Sequence, residues 1–210
     1  MNNKMEKYKQ IRNFSRELNH KILDSIVEKN YMMSAGRLLG LVSNDTFVFN
    51  DENDMNVMMD FILHEFEIKE NKNYIKIYFE KEKYNNIERE ILKSYLNSYT
   101  SLFEIVDNNS DTASVILKDI FKKKNKIELI DFGLSSTGRK KLLLYLRVIP
   151  IDSYYITSGI SFLFPENKKD IILLRYRKEL KKLKKIPEKN LEFISFYRLY
   201  KSFGLDVQFK

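Results

Sequence analysis

The chain has 210 residues, 43% of them hydrophobic with 15 Phe and 13 Tyr, which is enough for a packed core in one or two units. Its charged content of 31% and the absence of any apolar run of about 20 residues speak against a membrane protein. The lack of cysteine excludes disulfides, zinc knuckles and thiol catalysis, and the polar first ten residues lack the apolar core of a signal peptide, which predicts a cytoplasmic protein.

The net charge of +8 is distributed unevenly along the chain. Residues 166–210 carry a net charge of +7, whereas residues 51–100 carry −4. A basic segment favours a polyanionic partner, because phosphates or clustered carboxylates neutralise its charge. The charge distribution therefore predicts that the C-terminal region contacts either nucleic acid or an acidic protein surface.

Helical patterns dominate the first hundred residues. A long helix is predicted to end near Asn30, and a short helix is predicted at 34–40. Gly36 and Gly40 lie one turn apart there and indicate close helix packing rather than a phosphate-binding loop, since no Lys-Ser/Thr pair follows. Residues 46–49 favour a short strand. The long helix is predicted from apolar residues at steps of three and four: Ile11, Phe14, Leu18, Ile22 and Ile26.

Asp51 is typical of the N-cap of a further helix. Asp60 and His64 lie four residues apart on that helix, a spacing that two metal ligands could use. Because no third ligand is visible in the sequence, we expect an exposed polar pair instead. Residues 74–80 fit a helix and a strand equally well, and 87–96 again show a helical face.

Five short apolar runs, separated by turn-forming residues, predict β-structure in the middle of the chain. Their near-regular spacing indicates a small antiparallel β-barrel or curled sheet. The strongest run is continuously apolar, which predicts burial on both of its faces. Arg147 interrupts it, and we expect this residue either to pair with an acid such as Asp131 or Glu128 or to lie at the strand's end. The runs are 102–106, 114–117, 127–130, 142–149 and 155–164.

The C-terminal region combines an apolar stripe with many lysines, which predicts basic helices that fold back onto the rest. Pro187 is predicted to begin the last helix and Gly204 to cap it. The predicted fold class is α+β. It comprises an N-terminal helical region (1–100), a central β-barrel-like unit (101–165) and the basic C-terminal helical region (166–210).

Several segments together resemble a family of uncharacterised bacterial proteins in which a small helical front precedes a compact β unit. The resemblance covers roughly residues 34–165 and implies this layout, but it implies no activity. Some relatives carry a Cys-rich zinc motif, which this chain lacks, and the basic tail lies outside the likeness. The segments that resemble the family are 36–41, 47–49, 53–61, 101–106, 117–119, 131–135, 146–147 and 157–159.

The first hypothesis for function is a non-catalytic protein that binds nucleic acid, RNA rather than DNA, or a nucleoprotein complex. Basic loops on the β unit and a Lys-rich helix would contact phosphates, with neighbouring tyrosines available for stacking. No catalytic residue, metal ligand or cofactor is predicted. The candidate contact residues are Lys122, Lys123, Lys124, Lys126, Arg139, Lys140, Lys141, Lys168, Lys169, Arg175, Lys178, Lys181, Lys182, Lys184 and Lys185.

Two further classes of function are open. The basic helix could dock on an acidic groove of a protein, with Tyr197 and Tyr200 as anchors, as an adaptor or an inhibitor of a bacterial defence nucleoprotein machine. A metal-dependent nuclease could use the carboxylates of Asp51, Glu52, Asp54 or Asp60.

A helical ribonuclease is a poor match, because Arg16 and His20 are one residue too close together. Binding of the tail to a membrane surface is a lesser alternative, because its apolar face lacks an interfacial Trp.

Overall fold

The computed structural model describes residues 2–26, 28–68, 72–81, 83–122, 126–182 and 188–205. The predicted α+β class is confirmed. The helices are α1 (Asn2–Ile26), α2 (Lys29–Leu39), α3 (Glu52–His64), α4 (Tyr74–Lys81), α5 (Asn86–Leu96), α6 (Phe132–Thr137), α7 (Lys169–Lys182) and α8 (Glu188–Phe203), with a 3-10 turn at Glu166–Lys168. The strands are β1 (Val42–Ser43), β2 (Thr46–Phe47), β3 (Tyr99–Asn109), β4 (Ser114–Asp119), β5 (Ile127–Ile130), β6 (Leu143–Ile151) and β7 (Tyr154–Phe164).

Side-chain caps determine where several helices begin. The Asp51 carboxylate accepts a hydrogen bond from the backbone N–H of Asp54 at 2.9 Å, which confirms the predicted N-cap of α3. The Asn73 side chain likewise accepts a hydrogen bond from the backbone N–H of Lys76 at 3.0 Å. Residues 74–80, which fit a helix and a strand equally well by sequence, therefore form a helix. Asn85 begins α5 with a complete capping box.

Gly36 within α2 and Gly40 at its C-terminal end have different structural roles. Gly40 ends the helix with a φ of 75°, a left-handed conformation that favours glycine. A Cβ on Gly36 would lie 2.7 Å from Phe47 Cε1 and 2.9 Å from Val42 Cγ2, so this glycine packs against the β1–β2 hairpin. Close packing of the helix at Gly36 is as expected, and the element that packs there is the hairpin that folds back onto α2.

The remaining strands form a closed five-stranded barrel in the order β3-β4-β5-β7-β6. The long β3 pairs with both β4 and β6, and the barrel closes where β5 runs parallel to β7. Helix α6 connects the third and fourth strands of the barrel. This strand order, with its parallel closure and inserted helix, is the topology of an OB-fold.

Two apolar layers lie on the two sides of the barrel wall. Phe103, Leu117 and Leu144 fill the barrel interior. Outward-facing side chains of β6 and β7, such as Tyr145 and Phe162, pack against the surrounding helices. Burying a side chain of this size contributes roughly 1.5–3 kcal/mol, so both layers contribute substantially to stability. The predicted burial of β6 on both faces is confirmed.

Arg147 points out of the barrel wall and forms an ion pair with Glu65, which caps the C-terminus of α3. Its Nη1 also donates to the Ser98 hydroxyl at 2.7 Å. The predicted partners are wrong, because the acid comes from the helical layer that covers this face. Asp131 instead caps α6, and Glu128 pairs with Lys4 of α1.

Helix α8 packs on the outer apolar layer. The ring of Phe196 stacks on Tyr145 with 4.2 Å between the centroids. The Tyr197 hydroxyl donates to the buried carboxylate of Asp54 at 2.6 Å and so joins α8 to α3. Gly204 follows α8 as predicted, whereas Pro187 lies outside the described residues.

Candidate functional site

Helix α7 lies between the core and solvent, with its apolar side inward. Ile172 is fully buried, and the Tyr176 ring stacks on Phe121 of the β4–β5 loop with 5.3 Å between the centroids. The opposite side of α7 is exposed and carries Arg175, Arg177, Lys178, Lys181 and Lys182. Packing of a narrow apolar stripe thus leaves a basic helical face in solvent.

Ion pairs place two basic loops beside the start of α7. Lys169 binds Glu104 of β3 at 2.5 Å, and Lys141 binds Glu166 at 3.1 Å. Lys140 binds Asp107 at 3.0 Å, and this hydrogen bond, with a smaller contribution from Lys126, lowers the pKa of Asp107. The α6–β6 loop, the residue before β5 and the start of α7 therefore lie on the same side of the barrel.

We call these residues the α7 surface. It brings together ten of the predicted contact residues with Lys118 and Arg177, which sequence reasoning missed. Lys118 faces Glu104 across the β3–β4 ladder and is exposed, so the period-two alternation of β4 could have identified it. The α7 surface comprises Lys118, Lys126, Arg139, Lys140, Lys141, Lys168, Lys169, Arg175, Arg177, Lys178, Lys181 and Lys182.

The other predicted contact residues are distributed as follows. The Lys122 ammonium lies over the Tyr99 ring, 3.5 Å from its centroid, and belongs to the loop that packs against α7. Within the α7 surface, Lys182 contacts Glu179, and the Arg175 guanidinium lies 5.6 Å from the Phe203 ring. The predicted residues that lie outside the described ranges are Lys123, Lys124, Lys184 and Lys185.

Tyr197 and Tyr200 are not surface anchors. Tyr197 is 2% exposed and bound to Asp54, and Tyr200 stacks on Phe162 with 5.1 Å between the centroids. This face of α8 closes the outer apolar layer, which leaves Tyr200 partly exposed and Tyr197 buried.

The face by which OB-folds bind oligonucleotides has a different character in this protein. That face combines the second and third strands with the loops between strands one and two and between strands four and five. Here it carries Asp111, Glu128 and Asp152 together with the exposed Lys118 of β4. Helix α1 lies along it, since Lys4 binds Glu128 at 2.9 Å and Lys7 binds Asp152 at 2.5 Å. The presence of a helix of the same chain on this face leaves less of it accessible to an oligonucleotide.

The carboxylates considered as metal ligands do not converge. Asp54 is fully buried, and although burial alone would raise its pKa, hydrogen bonds from Lys201, Tyr197 and Asn50 lower it. Asp60 and His64 are 8% and 2% exposed, so the expected exposed pair is wrong, because α3 packs on several sides. Across the part of the chain that the structure describes, no three His, Asp or Glu residues form a group that could hold a metal ion.

Asp60 lies on the wall of a large cavity, and the pKa of its carboxyl group is well above the usual value. Burial raises the pKa of Asp60 to about 6, and the charges of Arg147 and Arg12 and the Ser158 hydroxyl oppose that rise. The cavity has a volume of about 710 Å³ and lies between α1, α3 and β7. Arg16 and His20, the pair weighed as a ribonuclease motif, line its mouth.

Comparisons with known proteins identify a family but no function. Within the described ranges, no helix is both long and apolar enough to span a bilayer. No curated protein and no solved structure matches the chain. The matched family range runs well beyond the 34–165 of the resemblance and includes the basic C-terminal region. The model of DUF7986, a family of unknown function, matches residues 2–210, and the chain therefore belongs to that family.

Proposed function

We propose that the protein binds nucleic acid, RNA in preference to DNA, through the α7 surface. The observation that carries the proposal is the convergence of basic residues from β4, the α6–β6 loop and α7 on one side of the barrel. Three of these lysines are held by single carboxylates on the surface. Such exposed pairs contribute little, about 0–1 kcal/mol, so phosphates could replace their partners at small cost.

Contacts to phosphates make affinity depend steeply on salt, because binding releases condensed counterions. If about four lysines contact a single strand, the affinity should fall roughly 50-fold between 50 and 200 mM salt. Fluorescence anisotropy with a labelled single-stranded RNA, and with DNA of the same sequence, measures this dependence.

Neutralising the α7 surface tests where the contact lies. A variant with Lys118, Lys126, Lys178 and Lys181 each changed to Gln removes four exposed charges and no buried contact. We expect its affinity at 50 mM salt to fall at least tenfold and its salt dependence to become shallower by about one unit of log-log slope for each lost phosphate contact.

The matched control changes four exposed lysines outside the α7 surface to Gln: Lys29, Lys81, Lys83 and Lys93. It loses the same charge and should bind as the parent does. Equal loss in both variants would show a nonspecific effect of net charge, and unchanged binding in the first variant would refute the proposed surface.

A protein partner is the second candidate, and one observation favours it. Leu174 is 52% exposed in the middle of the basic face of α7. An apolar side chain surrounded by cations suits an acidic protein groove, such as one on a nucleoprotein machine of bacterial defence, better than a phosphate backbone. Leu174→Ser should weaken capture of such a partner but leave RNA affinity unchanged, and nuclease treatment before a pull-down from the host would separate the two cases.

A further inference from the structure

An open cavity lies in the groove between α1 and α3, with β7 as its floor, and shares no residue with the α7 surface. Its volume of about 710 Å³ is in the range of small-molecule sites, which commonly measure about 300–1,000 Å³. Its walls combine methionine, leucine and isoleucine side chains with a larger number of polar and charged residues.

A single face of α1 forms one wall, with two arginines, a histidine and a carboxylate. Arg12, Arg16, His20 and Asp24 follow each other at four-residue steps and all line the cavity. Arg12 is held in place, because its guanidinium donates to the carbonyl and hydroxyl oxygens of Thr157 at 2.8 and 2.7 Å. Arg16 and His20 are exposed at the mouth, where they can reach an anion that enters from solvent.

The floor is shaped by an irregularity in β7. The β6–β7 ladder shifts register so that Ser158, Gly159 and Ile160 lie opposite Arg147 alone. Gly159 has a φ of 117°, which side chains rarely adopt, and a Cβ there would meet nothing closer than Arg12 Nη1 at 3.8 Å. The absence of a side chain at Gly159 therefore leaves open space in the cavity beside the Arg12 guanidinium.

The third wall suits a planar ring system of a ligand. Met32, Met55 and Met59 line it, and methionine packs adaptably and favourably against ring edges and faces. Asp60 lies beside them, 8% exposed, and its carboxylate can accept hydrogen bonds from an N–H group of a ligand. Together the walls offer Arg16 and His20 at the mouth, an apolar surface and a buried acceptor.

We propose that this cavity binds a nucleoside monophosphate, with the phosphate at Arg16 and His20 and the base between the methionines and Asp60. Inorganic phosphate alone would not contact the methionines, and an uncharged heterocycle would not bind to Arg16 and His20. This site is independent of the α7 surface, and neither proposal requires the other.

Isothermal titration calorimetry on the full chain tests the proposal with AMP, GMP, CMP and UMP, their nucleosides and inorganic phosphate. We expect at least one nucleotide to bind at least tenfold more tightly than its nucleoside and than phosphate. Binding of no nucleotide at millimolar concentration, or equal affinity for nucleotide and phosphate, would overturn the proposal.

Variants locate the site. Arg16→Ala together with His20→Ala changes two exposed side chains and should weaken the nucleotide at least tenfold while changing the affinity for the nucleoside less than threefold. Asn56→Trp, at an exposed position on the opposite wall, should fill the cavity and abolish binding of both ligands. The variant with Lys118, Lys126, Lys178 and Lys181 changed to Gln is the control and should bind the nucleotide as the parent does. Unchanged affinity in the two cavity variants, with circular dichroism showing a folded chain, would refute the assignment.

Discussion

At the scale of single residues, the ion pair between Arg147 and Glu65 is nearly excluded from solvent, with side-chain exposures of 4% and 1%. The Thr100 hydroxyl donates to the same Glu65 oxygen at 2.9 Å, and Ser98 accepts from Arg147. Removing either partner of such a buried pair is costly, because it leaves an uncompensated charge in the interior.

Arg147→Ala should therefore lower the free energy of unfolding by about 3–5 kcal/mol. Replacing the pair with Met at Arg147 and Gln at Glu65 removes both charges and keeps an acceptor for Thr100, so this double variant should be more stable than Arg147→Ala. Urea unfolding followed by circular dichroism measures both changes. A loss below 1 kcal/mol for Arg147→Ala would show that the pair contributes no more than a surface contact.

The raised pKa of Asp60 predicts an unusual dependence of stability on pH. Because the folded state holds this proton up to a pKa of about 6, against 3.8 for an unperturbed Asp, the contribution of Asp60 to stability falls as pH rises from about 4 to 6 and then stays constant. Asp60→Asn removes the penalty of a buried carboxylate and should be more stable than the parent at pH 7, by a margin on the order of 1–3 kcal/mol.

That margin should shrink towards zero at pH 4, where the parent carboxyl is protonated in the folded state. Urea unfolding of both proteins from pH 4 to pH 8 gives the difference directly, and the other titrating groups cancel in the comparison. A variant less stable than the parent at pH 7 would mean that the carboxylate is stabilised by Arg147 and Arg12 more than it is penalised by burial.

At the scale of secondary-structure elements, α2 and the β1–β2 hairpin form a small unit. Asn44 and Asp45 have φ values of 49° and 56°, which is the conformation of a two-residue hairpin turn. The turn directs Phe47 back onto α2 at Gly36. The contact requires glycine because any Cβ would overlap the Phe47 ring.

Gly36→Ala should destabilise the protein by about 1–3 kcal/mol through overpacking, even though alanine favours a helix interior by about 1 kcal/mol. In a Phe47→Leu background the ring is gone, and the same substitution should cost less. A double-mutant cycle by thermal unfolding measures this coupling. Additive effects of the two substitutions would show that Gly36 is not limited by the hairpin.

The elements themselves were largely predictable, since each follows from local chemistry. The Asp51 cap and the apolar runs of the five barrel strands have sequence signals that depend on nearby residues alone. Contacts between residues that are far apart in the sequence had no such local signal. The acid that meets Arg147 lies 82 residues away, and the burial of Asp60 and His64 depends on which helices cover α3.

The candidate site was also predictable only in part. Charge counting identified the basic residues of α7, because a helix with one narrow apolar stripe exposes the rest. It could not show that Lys118 of β4 and Lys140 lie beside that helix, nor that Arg16 and His20 face the methionines of α3 across a cavity. Those juxtapositions arise from strand order and helix packing.

At the scale of the whole molecule, the protein is an OB-topology barrel whose outer wall is used mainly for internal packing. Helices α3 and α8 cover β6 and β7, and α1 covers the face formed by β5 and the β6–β7 loop. Surface for a partner is left along α7 and in the groove beside α1. The two proposed sites are therefore set on separate sides of one scaffold, and variants in one should not affect the other.

The position of α1 also has a consequence for biosynthesis. Its Lys7 and Arg12 bind Asp152 and Thr157, each 145 residues further along the chain. At a synthesis rate of about 5–20 residues per second, the first helix leaves the ribosome roughly 7–30 s before those strands exist. During that interval α1 can already pack on α4 and α5, which are synthesised much earlier, so its contacts with β7 should be the last of its native contacts to form.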